Sequence, residues 1–157
     1  MILDEIAAAT RLRVEQLQRI KDLNKIRSDA ESLPKNNRGF RTSLSRDGMN
    51  FITEVKKASP SKGIISKEFD YLRLARDYEA AGAAAISCLT EPQFFLGKDE
   101  YLQAISTAVK LPVLRKDFII SEYQIYEAKT IGADAALLIC ALSVSYTHLT
   151  LPTTPYV

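Results

Sequence analysis

Several things that enzyme and membrane chemistry usually draw on are scarce in this sequence of 157 residues. It has one histidine, His148, and two cysteines, Cys88 and Cys140. A His–Cys metal site or a Ser–His–Asp triad therefore lacks its parts, and no metal is expected. Long apolar runs are missing as well. The longest, Ala135–Leu142, is eight residues, against the ~18 or more that a membrane span takes. Nor is there a surplus of one charge. Twenty-one Lys and Arg face 19 Asp and Glu for a net charge of +2, too even a balance for a nucleic-acid protein. Neither a nucleic acid nor a membrane is expected as a partner. The N-terminal MILDEIAAATRLRVEQ carries Asp4 and Glu5 and has no apolar stretch of the signal-peptide kind. Both thiols thus read as buried and free in a reducing, cytoplasmic compartment. Chemistry is left to Lys, Glu, Asp, Ser and the backbone.

What is present is the makeup of a folded domain. Apolar residues are 46% and charged residues 25%, a balance that excludes disorder for the bulk of the chain. Residues 2–27 place Ile6, Ala9, Val14, Leu17, Ile20, Leu23 and Ile26 mostly three or four apart, with Arg and Lys between them. That spacing predicts a helix packed on its own domain. Residues 28–48 are turn-rich (LPKNNRG, SRDG) and read as a loop with a short helix near Arg41. From Asn50 onward, apolar runs at Phe51–Lys56, Ala84–Thr90, Pro112–Lys116 and Asp134–Leu142 alternate with helical patterns at Tyr71–Ala81, Asp99–Val109 and Glu122–Ile131. Two of those helices end at a glycine, in AAGAAA and TIGADA, which supplies a left-handed cap. The alternation predicts βαβ units and a parallel sheet. Such a sheet is either open and doubly wound or part of a (β/α)8 barrel.

Polar residues interrupt these strands where a parallel sheet is normally apolar on both faces. Residues two apart share a face, so Ile52, Glu54 and Lys56 go together, as do Leu114, Lys116 and Phe118. Glu54, Lys56, Arg115, Lys116 and Asp117 all fall near the C-terminal ends of two strands. An unpaired buried charge costs several kcal/mol, so such groups are paired or functional. Ligands bind at that end of the strands in both candidate architectures. The following loop, KKASPSKG, has the Lys, Ser and Gly of an anion site without the P-loop spacing.

Four segments, taken in order, resemble the indole-3-glycerol-phosphate synthase family: ILDEIAAATR near the start, FITEVKKASPSKG at Phe51–Gly63, AAAISCLTEPQFFLG at Ala83–Gly97, and LPVLRKDFIISEYQIYEAKTIGADAALLI at Leu111–Ile139. The resemblance covers about residues 2–142. It implies an α/β fold of the (β/α)8 TIM-barrel type with an N-terminal helical extension. With the right-handed βαβ rule it also implies parallel strands at Phe51–Lys56, Ala84–Thr90, Pro112–Lys116 and Asp134–Cys140 lying side by side in chain order. The implied reaction closes the indole ring of 1-(2-carboxyphenylamino)-1-deoxyribulose 5-phosphate, releasing CO2 and water, with no metal or organic cofactor. By similarity Lys116 is the general acid at the ribulose carbonyl oxygen, Lys56 holds an anionic substrate group, and Glu54 orients the neighbouring ammoniums. Ser59 meets the anthranilate carboxylate, while Phe95, Phe118 and Leu138 line the pocket for the aromatic ring. The partner implied is a small anionic sugar phosphate carrying an anthranilate ring.

A barrel of this type takes ~250 residues, and four strands are legible here. The expected organisation is an extension at 1–49, the first half of a barrel at 50–143, and a tail at 144–157 that is foreign to the fold or disordered. That tail, VSYTHLTLPTTPYV, has no charged residue, and its prolines interrupt any helix. Such a half barrel is expected to be inactive alone and prone to aggregate through its open strand edges. Two other readings compete. A sugar-phosphate isomerase barrel resembling phosphoribosylanthranilate isomerase would run on a Cys–Asp pair, and a flavodoxin-like binding domain would need a fifth strand and a final helix. Glu54 and Lys116 on one inward face of the sheet would favour the barrel.

Overall fold

The computed structural model describes residues 2–34, 38–139 and 142. In chain order the elements are α1 (Ile2–Ile20), α2 (Leu23–Ser32), α3 (Phe40–Leu44), β1 (Ile52–Val55), β2 (Ala58–Ser59), β3 (Gly63–Ile64), α4 (Tyr71–Ala80), β4 (Ala85–Leu89), α5 (Asp99–Ala108), β5 (Val113–Lys116), α6 (Glu122–Thr130) and β6 (Ala135–Ala136). Four strands form one parallel sheet in the order β1-β4-β5-β6. Adjacent strands thus follow chain order, as the βαβ rule and the barrel resemblance together imply. A small antiparallel pair, β2 with β3, stands apart in the loop after β1. The sequence pattern predicts only a loop there.

Helices α4, α5 and α6 cover one face of the sheet. Val55, Ile86, Cys88 and Val113 project toward that face and pack with Ala75 of α4 and Leu102 and Ile105 of α5. Each is nearly or fully buried, and this layer carries most of the apolar burial that holds sheet and helices together. Gly82 and Gly132 follow α4 and α6 with φ of 82° and 89°. They are the left-handed caps expected before β4 and β6.

The N-terminal helices differ from the sequence-based expectation. A single helix over 2–27 is interrupted at Asp22, whose backbone is extended and whose carboxylate accepts the Lys25 N–H at 2.8 Å. That N-cap satisfies a backbone donor and starts a new helix. The new helix runs on to Ser32, so residues 28–32 are helical and not loop. Ile26 and Ala30, four apart, are both buried on its inner side, and α2 packs on α6. Val14, Ile26 and Tyr123 form the shared apolar cluster of α1, α2 and α6. Helix α3 occupies the position expected near Arg41.

Side-chain hydrogen bonds then fasten these helices to the strand starts. Ser43 Oγ donates to the Ala84 carbonyl at 2.6 Å. Arg38 bonds the Asp134 carboxylate and the Gly132 and Ser106 carbonyls. Asp134 in turn accepts the Val113 N–H at 2.8 Å, tying the beginnings of β5 and β6 to Arg38.

Among the described residues the fourth strand, Ala135–Ala136, is shorter than the expected Asp134–Cys140. Its ladder with β5 covers Leu114↔Ala135 and Arg115↔Ala136, followed by one more bond from the Leu137 N–H to the Arg115 carbonyl. Among the described residues β6 has a neighbour on one side only. Cys140, His148 and the tail 144–157 lie outside the described residues.

Candidate active site

The alternation of strand β5 and its exit turn sorts four consecutive residues onto two faces. Arg115 and Asp117 turn toward the helices; Lys116 and Phe118 turn away from them. On β1 the same rule sends Val55 to the helices and Glu54 to the other face. Register completes the juxtaposition. Glu54 pairs with Ser87, and Leu89, two residues further along β4, pairs with Lys116.

The result is a three-charge cluster at the C-terminal ends of the strands. Glu54 Oε1 lies 2.6 Å from Lys56 Nζ, and Glu54 Oε2 lies 2.6 Å from Lys116 Nζ. Burial pushes the Glu54 carboxyl up, but hydrogen bonds from Lys116 and Lys56 outweigh it and hold the group below the usual carboxylate range. One carboxylate shared by two ammoniums leaves local positive charge. The side chains of Lys56 and Lys116 are 33% and 38% exposed, so an anionic ligand can reach them. Phe95 and Phe118 stand beside the cluster with ring centroids 6.0 Å apart. Together with Leu89, Leu137 and Ile139 they wall a cavity of about 110 Å³ whose polar side is Glu54, Lys56 and Lys116, with Asp117 also on its lining. A larger cleft of about 560 Å³ adjoins it across Glu54 and Lys56, bounded by Ile65, Phe69, Arg73 and Tyr78.

Phe95 is set by the turn after β4. The buried Glu91 carboxylate accepts the N–H groups of Gln93, Phe94 and Phe95 at 3.0, 2.6 and 3.0 Å. Gly97 then passes so close to β4 that a Cβ there would lie 2.4 Å from the Leu89 carbonyl oxygen.

Of the expected site residues, the fold brings together Glu54, Lys56, Lys116, Phe95 and Phe118. Leu138 is elsewhere. It is 46% exposed and faces the α6 side with Ile125, Ala128 and Ala136, while Leu137 and Ile139 line the cavity. The run ADAALLI is apolar at nearly every position, so its inward parity is invisible until register with β5 sets it. Ser59 is not among the residues lining the cavity. Its hydroxyl stays in the β2–β3 turn, accepting the Lys62 N–H at 3.3 Å.

On the helix side the remaining charges are spent on one another. Arg115 is fully buried, 2.9 Å from Glu127 and 3.2 Å from both Asp99 and Asp117. Asp117 is also bonded by Arg13 of α1 and by Thr90. Burial raises the Asp117 carboxyl, and the Arg115 and Arg13 charges more than reverse this, leaving it below its ordinary value. For Asp99, at the edge of the cluster, burial wins over Arg115 and the carboxyl is raised. Cys88 is a buried free thiol on the helix side. Burial first and the Asp99 charge second push it up to about 12, so it has neither the exposure nor the acidity of an acid–base group.

A parallel α/β sheet with two lysines and a carboxylate at its strand ends places this protein in the α/β class whose ligand sites lie at the carboxyl ends of the strands. The particular family follows from comparison. The sequence pattern of the family described as "Indole-3-glycerol phosphate synthase" matches residues 3–151, and the chain belongs to that family. The match reaches into the stretch 144–157 expected to be foreign. Proteins named indole-3-glycerol phosphate synthase from Endomicrobium trichonymphae and Ruminiclostridium cellulolyticum are 58% and 55% identical over 143 residues, covering 90% of this chain and 55% of each relative. The one from Lachnoclostridium phytofermentans is 47% identical over 154 residues, covering 57% of that protein. The chain thus spans about half the length of the curated relatives it matches. No helix among the described residues is long and apolar enough to cross a membrane.

Proposed function

We propose that these residues carry the proton-donating side of an indole-3-glycerol-phosphate synthase site, on the first four strands of a (β/α)8 barrel. The reaction is ring closure of 1-(2-carboxyphenylamino)-1-deoxyribulose 5-phosphate with loss of CO2 and water. Lys116 gives its proton to the ribulose carbonyl oxygen as the aromatic carbon attacks. Lys56 holds an anionic group of the substrate, and Glu54 aims both ammoniums. The aromatic ring lies against Phe95 and Phe118, beside Leu137 and Ile139, and Ser59 meets the anthranilate carboxylate when the β2–β3 loop covers it. The pocket's apolar wall also strips water from that carboxylate, which favours expulsion of CO2. Residues 1–49 form the extension and 50–143 the half barrel. The whole acts on a soluble sugar phosphate in the cytoplasm, without a cofactor and without nucleic acid.

The observation that carries this reading is the single Glu54 carboxylate set between the Lys56 and Lys116 ammoniums beside two aromatic rings. The one-sided covering of a sheet whose order follows the chain supports a barrel over a doubly wound domain. The burial of Cys88 disfavours an isomerase built on that thiol. The test is Lys116→Ala in a turnover-competent protein containing this sequence, followed by formation of the indole product. A general acid acts chiefly in the transition state, so kcat falls roughly 10²–10⁴-fold while KM moves little. Near-native kcat with a raised KM would make Lys116 a binding residue and sink the assignment.

A further inference from the structure

Helix α1 lies outside the sheet and its three crossover helices, yet one of its side chains reaches the turn that bears the proposed acid. Ile6, Ala7, Thr10 and Val14 are the buried face of α1, and Arg13 sits beside Val14 at the edge of that face. Its Nη2 lies 2.8 Å from Asp117 Oδ1 and 3.0 Å from Oδ2. The Asp117 side chain is fully buried while Arg13 is 23% exposed, so the pair joins the interior to the extension.

Asp117 is the pivot between two site residues. Lys116 before it reaches Glu54, and Phe118 after it stands against Phe95. Asp117 points the opposite way, where it takes Arg13, the Thr90 hydroxyl, Arg115 and the Phe118 N–H. Without Arg13, the carboxylates of Asp99, Asp117 and Glu127 would share Arg115 alone. Like charges so close in a buried setting repel, and the turn carrying Asp117, having lost its Arg13 partner, would shift. Lys116 and Phe118 would move with it.

The geometry points to Arg13 as a positioning residue for the reaction: α1 holds the end of β5 through Asp117, keeping Lys116 on Glu54 and Phe118 on Phe95. This rests on the role proposed for Lys116. It gives the N-terminal extension a part in the chemistry without any contact to substrate.

The experiment compares Arg13→Met, Arg13→Lys and the exposed control Arg11→Met in a turnover-competent protein containing this sequence, with Lys116→Ala alongside. Displacing a catalytic group by about 1 Å can cost on the order of 100-fold. Arg13→Met is expected to lower kcat roughly 10- to 100-fold with KM within a few-fold. Arg13→Lys, which keeps a cation at a single point of contact, falls between Met and wild type, and Arg11→Met matches wild type. Should Arg13→Met fail to fold, Arg13→Lys decides, since a several-fold loss of kcat is expected there with Tm nearly unchanged. Wild-type kcat in a folded Arg13→Met, or in Arg13→Lys when Met does not fold, overturns the proposal. So does a loss carried by KM alone. If Lys116→Ala keeps its turnover, the reading of the acid has failed and this inference with it. If Lys116→Ala is inactive while the Arg13 variants turn over normally, only the role of Arg13 is lost.

Discussion

Arg115, Lys116, Asp117 and Phe118 are consecutive, and the pleat alone decides that two join the buried ion cluster and two stand with Glu54 and Phe95 on the opposite face. Charge identity is thus a poor guide to role in this turn, and face is a good one. The pH response of Asp117 follows from its surroundings. Its carboxyl is depressed in the folded protein, so its ionised form is bound more favourably folded than unfolded. The stabilisation is complete above the unfolded value and disappears as pH falls through the lower folded one. Asp99, raised by burial, responds in the opposite sense, so whole-protein acid unfolding mixes the two. The difference between wild type and Asp117→Asn isolates the former. Urea unfolding is expected to show a deficit on the order of 3 kcal/mol at neutral pH, shrinking as the pH falls through the depressed folded value. A deficit that stays constant across that range would mean that packing, and not charge, is what Asp117 supplies.

Between residue and fold, the connection after β4 shows how an element's end builds a wall of the site. Glu91 gathers three backbone N–H groups, and Gly97 returns the chain against the Leu89 carbonyl with no room for a side chain. Gly97→Ala forces backbone to move, because the nearest atoms are main chain and cannot rotate away. The expected cost is about 1–3 kcal/mol in denaturant unfolding, with weaker substrate binding as Phe95 shifts. An unchanged unfolding midpoint would show that the loop has slack. Asp22 is the other element-level device. A helical pattern read by apolar spacing runs straight through it, because Leu23 and Ile26 keep the period on the far side. The break is a capping event, carried by a single carboxylate–amide bond, and spacing is blind to it.

At the scale of the molecule, the sheet is graded from its middle outward. Strand β4 is buried along its whole length and paired on both sides, whereas β1 and β6 each have one neighbour among the described residues. Unpaired strand edges exchange their amides readily and invite other chains to pair. Hydrogen exchange is expected to be slowest in Ala85–Leu89 and markedly faster in β1 and β6. Protection of β6 equal to that of β4 would show that another strand, from this chain or a second copy, covers it.

The alternation of the four sheet strands with α4, α5 and α6, the glycine caps and the placing of Glu54 and Lys56 on one face were determined by the sequence itself. Each depends on spacing along the chain or on one residue's conformational freedom, both of which are local. Lys116 could be assigned to a face of its own strand, but not to the opposite oxygen of the same carboxylate 62 positions earlier; that took the register of β1, β4 and β5. The exchange of Leu138 for Leu137 and Ile139 has the same cause, since a run apolar at every position carries no parity of its own. Arg115 and Asp117 look from sequence as available for chemistry as Lys116 does. Only the tertiary structure, by placing Arg13, Asp99 and Glu127 around them, neutralised those two charges and left the third facing the cavity.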